Sequence, residues 1–194
     1  MINLAIPSAY PTKEILHVDQ TLQTGDFLEA VETISDETVS QIGRCVIRFS
    51  FIELNLRRAI EMASKSGKLP DKIGKHPILK LPMYSLVSAL KSCVDKLGQS
   101  ESDQELTSKF LDEIEELRGF RNILAHFAPY AVTGHDAIVF LSRSESDAEK
   151  VFGAPLNDSG LMYALLPNSG LEYLDQRTKW LDNRLAEKIF MWGS

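Results

Sequence analysis

The chain has few of the residues that build disulfide frameworks or metal sites. It contains two cysteines in 194 residues, Cys45 and Cys93, and both fall on apolar helical faces without the spacing of metal ligands. We therefore predict two buried free thiols, no metal site and no cofactor. A glycine-rich phosphate-binding loop and a nucleophile elbow are missing as well.

Long hydrophobic runs are also missing. No segment approaches the roughly 20 apolar residues of a membrane span, and residues 1–10 lack the basic region and apolar core of a secretion signal. Hydrophobic residues make up 44% of the chain, which is enough to form a core at this length. We expect a soluble cytoplasmic protein with no membrane partner.

Basic residues are outnumbered by acidic ones, 21 Lys and Arg against 27 Asp and Glu. The formal net charge of −6 argues against a general nucleic-acid binder. The exception is a lysine-rich loop between Ser64 and Met83, in which Lys72 and Lys75 are candidate phosphate contacts. A merely solvated loop would have the same composition, so both interpretations of these lysines stay open.

Two long amphipathic segments predict a mainly helical protein. The first covers residues 37–64, with Ser35 as its N-cap. The second covers residues 102–127 and should end near His126, because Pro129 disfavours a helical conformation for the residue before it. Apolar residues recur three and four positions apart in both segments. They are Ile42, Val46, Phe49, Leu56 and Ile60 in the first, and Leu106, Phe110, Ile114, Leu117, Phe120 and Leu124 in the second.

One charged side chain falls within each apolar stripe, Glu53 in the first and Arg121 in the second. A buried carboxylate is unfavourable unless it is paired and hydrogen-bonded. We therefore predict that the two helices pack antiparallel and that Glu53 meets Arg121. The alternative is that Glu53 extends to the edge of its stripe and reaches solvent.

The rest of the chain predicts a third helix at residues 84–97, a β-hairpin from strands at 137–141 and 161–166, and a C-terminal helix. The predicted fold is mainly α, an antiparallel helical bundle with a small β-hairpin and a C-terminal helix. Its three parts follow in chain order. They are an N-terminal extension over residues 1–34 with a candidate short helix at 26–33, the bundle over 35–130, and the hairpin with the last helix packed on the bundle over 131–194.

The second long helix closes with Arg118-Gly-Phe-Arg-Asn-Ile-Leu-Ala-His126. His126 falls in the last turn, where the negative end of the helix dipole favours its protonated form. Asn122 and His126 are four residues apart and share a face, whereas Arg121 lies about 140° away from His126. Cations in a last turn also cap backbone carbonyls, so a purely structural helix terminus is the competing interpretation.

With these residues in place, the chain resembles the HEPN superfamily (higher eukaryotes and prokaryotes nucleotide-binding domains). These are helical bundles whose ribonucleases carry an Arg, a polar residue and, after a short spacer, a His at a helix end. The matching residues here are Arg121-Asn122-Ile-Leu-Ala-His126. Glu53 would be the acidic residue that supports the motif Arg, and the resemblance covers roughly residues 35–130.

The resemblance implies a metal-independent endoribonuclease that works as a homodimer, with the two motifs facing each other across the interface. His126 would act as general acid or base. Arg121 would stabilise the phosphorane charge or hold His126 in place through Glu53, and Asn122 would orient the phosphate. The resemblance also implies a role in stress, toxin–antitoxin systems or phage defence, with RNA as substrate and an antitoxin-type protein as partner.

The chain departs from the toxin branch of the superfamily at one position. That branch usually carries a Tyr two residues after the His, and this chain has Ala128 there.

Tyr130 and Arg118 are further candidate substrate contacts. The departure and the acidic balance support a second hypothesis, a non-catalytic interaction or regulatory module with the same bundle.

A third hypothesis is a transcriptional regulator similar to the mannitol operon repressor family. In that family Arg-Asn-x-x-Ala-His also closes a helix. A recognition helix with a basic face, which would read DNA, is not visible in the sequence.

Overall fold

The computed structural model describes residues 30–69, 81–97, 100–146 and 162–192. These residues fall into two units. The first unit holds the described residues up to Val46 together with Phe120–Gln176, and the second holds Ile47–Gly119 together with the residues from Arg177 onwards. Most of them are helical, as the sequence predicts.

The long helices lie close to where the sequence places them. Thr38 donates its backbone N–H to Ser35 Oγ over 3.1 Å, which is the predicted N-cap of the first helix. None of the helices in the described part is both long and apolar enough to cross a membrane. Their bounds are α1 Asp36–Lys65, α2 Met83–Lys91, α3 Val94–Leu97, α4 Glu101–His126 and α5 Asn168–Trp192.

The predicted third helix is interrupted, so α2 and α3 replace one continuous segment. Ser92 Oγ donates to the Ala89 carbonyl over 2.7 Å, and the Cys93 thiol donates to the carbonyls of Ala89 and Leu90. Such side chains compete with the helical hydrogen bonds one turn back. Cys45 and Cys93 are both buried thiols and neither belongs to a disulfide, which confirms the prediction for them. Burial raises the pKa of Cys93 to about 11.

The first unit contains a four-stranded antiparallel sheet with the strand order β1-β2-β3-β4. The predicted hairpin is present as β3 and β4, whose register runs from Ala137 opposite Pro167 to Ser142 opposite Met162. A turn at residues 133–134 precedes β3, and Gly134 adopts a φ of 74° there, which favours glycine. The strands are β1 Val31–Glu32, β2 Ala128–Val132, β3 Ala137–Ser142 and β4 Met162–Pro167.

Strands β1 and β2 are not predicted by the sequence. The candidate helix at residues 26–33 is wrong for its described residues, because Val31 and Glu32 pair with Val132 and Ala131 of β2. Residues 26–29 lie outside the described residues. Pro129 is tolerated in β2 because β1 borders only the far end of that strand, so the missing N–H of Pro129 removes no bond to β1.

The core of the first unit is built on β3. Its residues Ile138, Val139 and Phe140 are almost completely buried, in a continuous run rather than an alternating one. Such a run is typical of a strand that is covered on both faces. One cluster joins Val139 to Val132 of β2 and Ala137, with Val31, Leu141, Tyr163 and Leu165 packed around it.

In the second unit, α4 and α5 run antiparallel. Glu113 pairs with Arg177, and Asp103 pairs with Lys188. Of these two pairs, the one nearer the start of α4 is the one nearer the end of α5. The two helices therefore run in opposite directions. The prediction of the buried stripe of α4 is wrong for Leu106, which is 55% exposed.

Asp182 of α5 gives this unit a predicted pH dependence. Burial raises the pKa of Asp182, against a hydrogen bond from Asn55 (2.9 Å) and the charge of Arg48. A carboxyl group with a raised pKa contributes stability that is present at low pH and is lost as the pH rises through its folded-state pKa. Asp182→Asn removes that loss, and Asn retains the carbonyl oxygen that accepts from Asn55.

We therefore expect Asp182→Asn to raise the free energy of unfolding at neutral pH by about 0.3 kcal/mol, a small value because the group is largely solvated. The gain should vanish below the ordinary pKa of an Asp carboxyl, because the group is then protonated in the folded and the unfolded state. Urea unfolding from neutral pH down to that acidic pH measures the gain and its disappearance. Asp112→Asn is the control, because Asp112 is exposed and pairs with Lys91, so this substitution should bring no gain at neutral pH.

Candidate functional site

The Arg121–His126 motif forms the last turns of α4. The helix ends at His126, and the Phe127 N–H still donates to the Ile123 carbonyl over 3.0 Å. Strand β2 begins at Ala128, directly after that bond. The motif therefore lies where α4 ends and a strand of the first unit begins. The end of α4 at His126 confirms the boundary predicted from Pro129.

Within the motif, Arg121 and Asn122 are joined by a hydrogen bond. Arg121 Nη1 donates to Asn122 Oδ1 over 3.2 Å. Both side chains are half-buried, whereas His126 is exposed. Neighbouring positions of a helix point about 100° apart, so the guanidinium has turned away from the apolar stripe towards the face that Asn122 shares with His126.

Glu53 is half-buried on α1 and bonds a residue one turn further along the same helix. Arg57 Nη2 donates to Glu53 Oε1 over 2.6 Å. A carboxylate four residues before an arginine is a favourable helical pair. The spacing of Glu53 and Arg57 is visible in the sequence, but Arg57 is not among the candidate site residues predicted from it. Glu53 and Arg121 fall in different units, and the pairing predicted for them stays a prediction.

The remaining candidates differ in their surroundings. Arg118 donates to Glu115 Oε1 over 3.0 Å, and its guanidinium lies 6.0 Å from the ring centroid of Tyr84. Tyr130 is an exposed residue of β2 that pairs with Val139 of β3. Arg118 is thus held by neighbours, while Tyr130 presents its ring to solvent.

Two candidates of the lysine-rich loop, Lys72 and Lys75, lie outside the described residues. Lys68, at the edge of that loop, donates to the Trp192 carbonyl over 3.1 Å. In the part of the chain that the structure describes, no group of three or more His, Cys, Asp or Glu side chains could hold a metal ion.

The motif can supply three chemical functions at one helix end. An exposed imidazole can exchange protons with solvent or substrate, an amide can donate to a phosphate oxygen, and a guanidinium adjacent to that amide adds positive charge. Neither protein-family models, nor curated proteins, nor solved structures match this chain. Its function is therefore inferred from the motif and from the geometry around it.

Proposed function

We propose that the protein is a HEPN-like, metal-independent endoribonuclease, a helical bundle that acts as a homodimer. One observation carries the proposal: the hydrogen-bonded pair Arg121–Asn122 lies one turn before the exposed His126 at the end of α4. This is the set of groups that RNA cleavage by transphosphorylation needs. The proposed role in stress, toxin–antitoxin systems or phage defence comes from the resemblance of the motif.

In the proposed reaction, a base removes the proton of the ribose 2′-hydroxyl while the 2′-oxygen attacks phosphorus. The bond from phosphorus to the 5′-oxygen breaks as the new bond forms, and an acid protonates the leaving oxygen. The products are a 2′,3′-cyclic phosphate and a 5′-hydroxyl. An imidazole changes charge near neutral pH, so the His126 residues of two subunits can serve as the base and the acid.

The bond between Arg121 and Asn122 supports the proposal because it brings the guanidinium nearer to the helix face that carries His126. On an ideal helix Arg121 is about 140° from His126. With its guanidinium on Asn122 Oδ1, the positive charge of Arg121 moves towards the face of His126. The same bond orients the Asn122 amide, whose Nδ2 donors can then be directed at a phosphate oxygen.

An exposed apolar ridge on α1 supports the homodimer. Ile47, Phe51 and Leu54 are 57%, 50% and 43% exposed, and their spacing of four and three residues puts them on one side of the helix. A contiguous apolar surface of this kind marks an interaction site more often than isolated apolar residues do. In a two-fold dimer the same ridge from each copy meets its equivalent, so apolar surface is buried on both sides.

We expect Phe51→Glu to convert the proposed dimer into a monomer. The substitution places one carboxylate from each copy in the same apolar interface, where both would be desolvated. Size-exclusion chromatography with light scattering measures the mass before and after the change. Tyr173→Glu is the matched control, because Tyr173 is an exposed aromatic residue on α5 and should leave the mass unchanged. A wild-type protein that is monomeric at high concentration would contradict the dimer.

The direct test of the proposed function is cleavage of RNA in the presence of EDTA. Purified wild-type protein is incubated with end-labelled transfer RNA and with unstructured RNA, and the ends of the fragments are identified. We expect discrete fragments with 2′,3′-cyclic phosphate and 5′-hydroxyl ends. Products with 3′-hydroxyl ends, or activity that depends on added Mg²⁺, would contradict the proposed mechanism.

The non-catalytic module remains the second candidate because Ala128 occupies the position at which toxin members carry a Tyr. In this chain that position is the first residue of β2 and is exposed. Under this hypothesis the purified dimer would leave every RNA intact, and Arg121 and Glu53 would serve the stability of the fold alone.

A further inference from the structure

A cavity of about 420 Å³ lies in the second unit between α4 and α5. Leu106, Thr107 and Phe110 line it from α4, and Trp180, Asn183 and Lys188 are among the residues that line it from α5. Small-molecule sites in proteins usually have volumes of about 300–1,000 Å³. None of these residues belongs to the Arg121–His126 motif, so the cavity needs a role of its own.

The apolar wall of the cavity is unusually open to solvent. Trp180 is 45% exposed and Leu106 is 55% exposed, whereas most large apolar residues of α4 and α5 are buried. Trp180 is nevertheless held in place. The edge of Phe110 meets it with ring centroids 6.2 Å apart, and the Arg177 guanidinium lies 4.1 Å from its ring centroid. A fixed indole beside a cavity is a preorganised surface for a flat apolar ligand.

Thr107 lines the cavity and has an unsatisfied hydroxyl group. The residue is 1% exposed, and its Oγ1 has no hydrogen-bond partner among the described residues. A threonine in a helix commonly returns its hydroxyl to a carbonyl one turn back, but Thr107 does not. An unsatisfied buried hydroxyl is unfavourable. A ligand with a carbonyl oxygen in the cavity would accept the hydrogen of this group.

The charges around the cavity are already paired within the chain. The ammonium of Lys188 is almost completely buried and bonds Asp103, and Arg184 bonds Glu187 over 3.0 Å. An ionised ligand would have to compete with these pairs, which an uncharged ligand leaves intact. An ammonium has three donors, so Lys188 can donate to a ligand carbonyl as well as to Asp103. The Asn183 amide adds a further donor and acceptor.

From the indole wall, the unsatisfied hydroxyl and the paired charges, we infer that this cavity binds a small, uncharged aromatic or heteroaromatic molecule that carries an amide or ring carbonyl. The ring packs against Trp180 and Leu106, and the carbonyl oxygen accepts from Thr107 and Lys188. This site does not depend on the proposed ribonuclease activity, since the two share no residue.

Three matched probes test the chemical class of the ligand. Benzamide has the ring and the neutral carbonyl, benzoate replaces the amide by a charge, and toluene keeps only the ring. Titrations are followed by the indole N–H signals in ¹H–¹⁵N correlation spectra of the full chain, assigned with Trp180→Phe. We expect benzamide to shift the signal of Trp180 in a saturable way. The signal of Trp192, which is fully buried, should not move.

Benzoate and toluene should each bind about tenfold more weakly than benzamide. Benzoate brings a charge without a partner, and toluene lacks the carbonyl that accepts the buried hydrogen bond. Benzoate binding as tightly as benzamide would overturn the uncharged class. A Trp180 signal that does not saturate, or that shifts together with Trp192, would overturn the site.

Thr107→Val tests the role of the hydroxyl without changing the shape of the side chain. We expect it to weaken benzamide binding about fivefold to tenfold and to leave toluene binding unchanged, since only benzamide offers the carbonyl. The melting temperature should not fall, because the variant removes an unsatisfied buried group. Ser108→Ala is the control on the same helix and should change neither affinity. Equal benzamide affinities in wild type and Thr107→Val would overturn the assignment of the carbonyl to Thr107.

Discussion

His126→Ala is expected to lower the rate of RNA cleavage by about 10²- to 10⁴-fold, the usual effect of removing a positioned general acid or base. In the proposed dimer each His126 has one of two proton-transfer roles, so the variant loses both at once. The fold should persist, because His126 is exposed and its loss costs about 0.5 kcal/mol of helix-dipole stabilisation. Single-turnover cleavage in EDTA and thermal unfolding measure the two quantities.

The matched control is His135→Ala. His135 belongs to the turn between β2 and β3, in the same unit as His126, and has no part in the proposed reaction. This variant should cleave RNA at the wild-type rate. If His126→Ala also cleaved at that rate, the motif would be a structural helix terminus. If both variants lost activity in proportion to a loss of folded protein, the effect of His126 would be one of stability.

The helix boundaries could be predicted because local chemistry determines them. Ser35 caps α1 through its own hydroxyl, and Pro129 limits α4 through its effect on the preceding backbone. The β3–β4 hairpin was predictable for a similar reason, since two β-rich apolar runs flank a polar segment. In each case a few neighbouring residues carry the whole signal.

The sequence could not predict the elements that depend on distant partners. Strand β1 has two residues and exists only because Val31 and Glu32 pair with β2, about 100 residues further along the chain. The break between α2 and α3 depends on whether Ser92 and Cys93 bond the carbonyls behind them or leave the helix uninterrupted. Sequence periodicity does not distinguish these two outcomes.

The candidate site shows the same division. The motif and its place at a helix end follow from the sequence, but the bond from Arg121 to Asn122 does not, because adjacent helical side chains point in different directions. Glu53 accepts from Arg57, one turn along the same helix, and this short-range bond follows from the i, i+4 spacing of the two residues. The cavity beside Trp180 required the structure, since Thr107 and Lys188 lie 81 residues apart in the chain.

Asp103→Ala is expected to destabilise the protein by about 3–5 kcal/mol, because it leaves the ammonium of Lys188 buried without its carboxylate. Lys188 is one of the least exposed charged residues in the described part of the chain, with 5% of its side chain accessible, and Asp103 is itself only 19% exposed. The pair joins the first turn of α4 to the end of α5, so the loss should reach both helices. Urea unfolding monitored by the buried Trp192 of α5 measures the effect.

Two further variants separate the buried charge from the ion pair as such. Glu105→Ala removes an exposed carboxylate two residues away, whose partner Lys109 is also exposed, and should hardly change the midpoint of unfolding. Lys188→Met combined with Asp103→Leu removes both charges and should recover most of the stability lost in Asp103→Ala, because an apolar pair of similar volume incurs no desolvation cost. A double variant as unstable as Asp103→Ala would mean that the shape of this contact, rather than its uncompensated charge, stabilises the packing of α4 against α5.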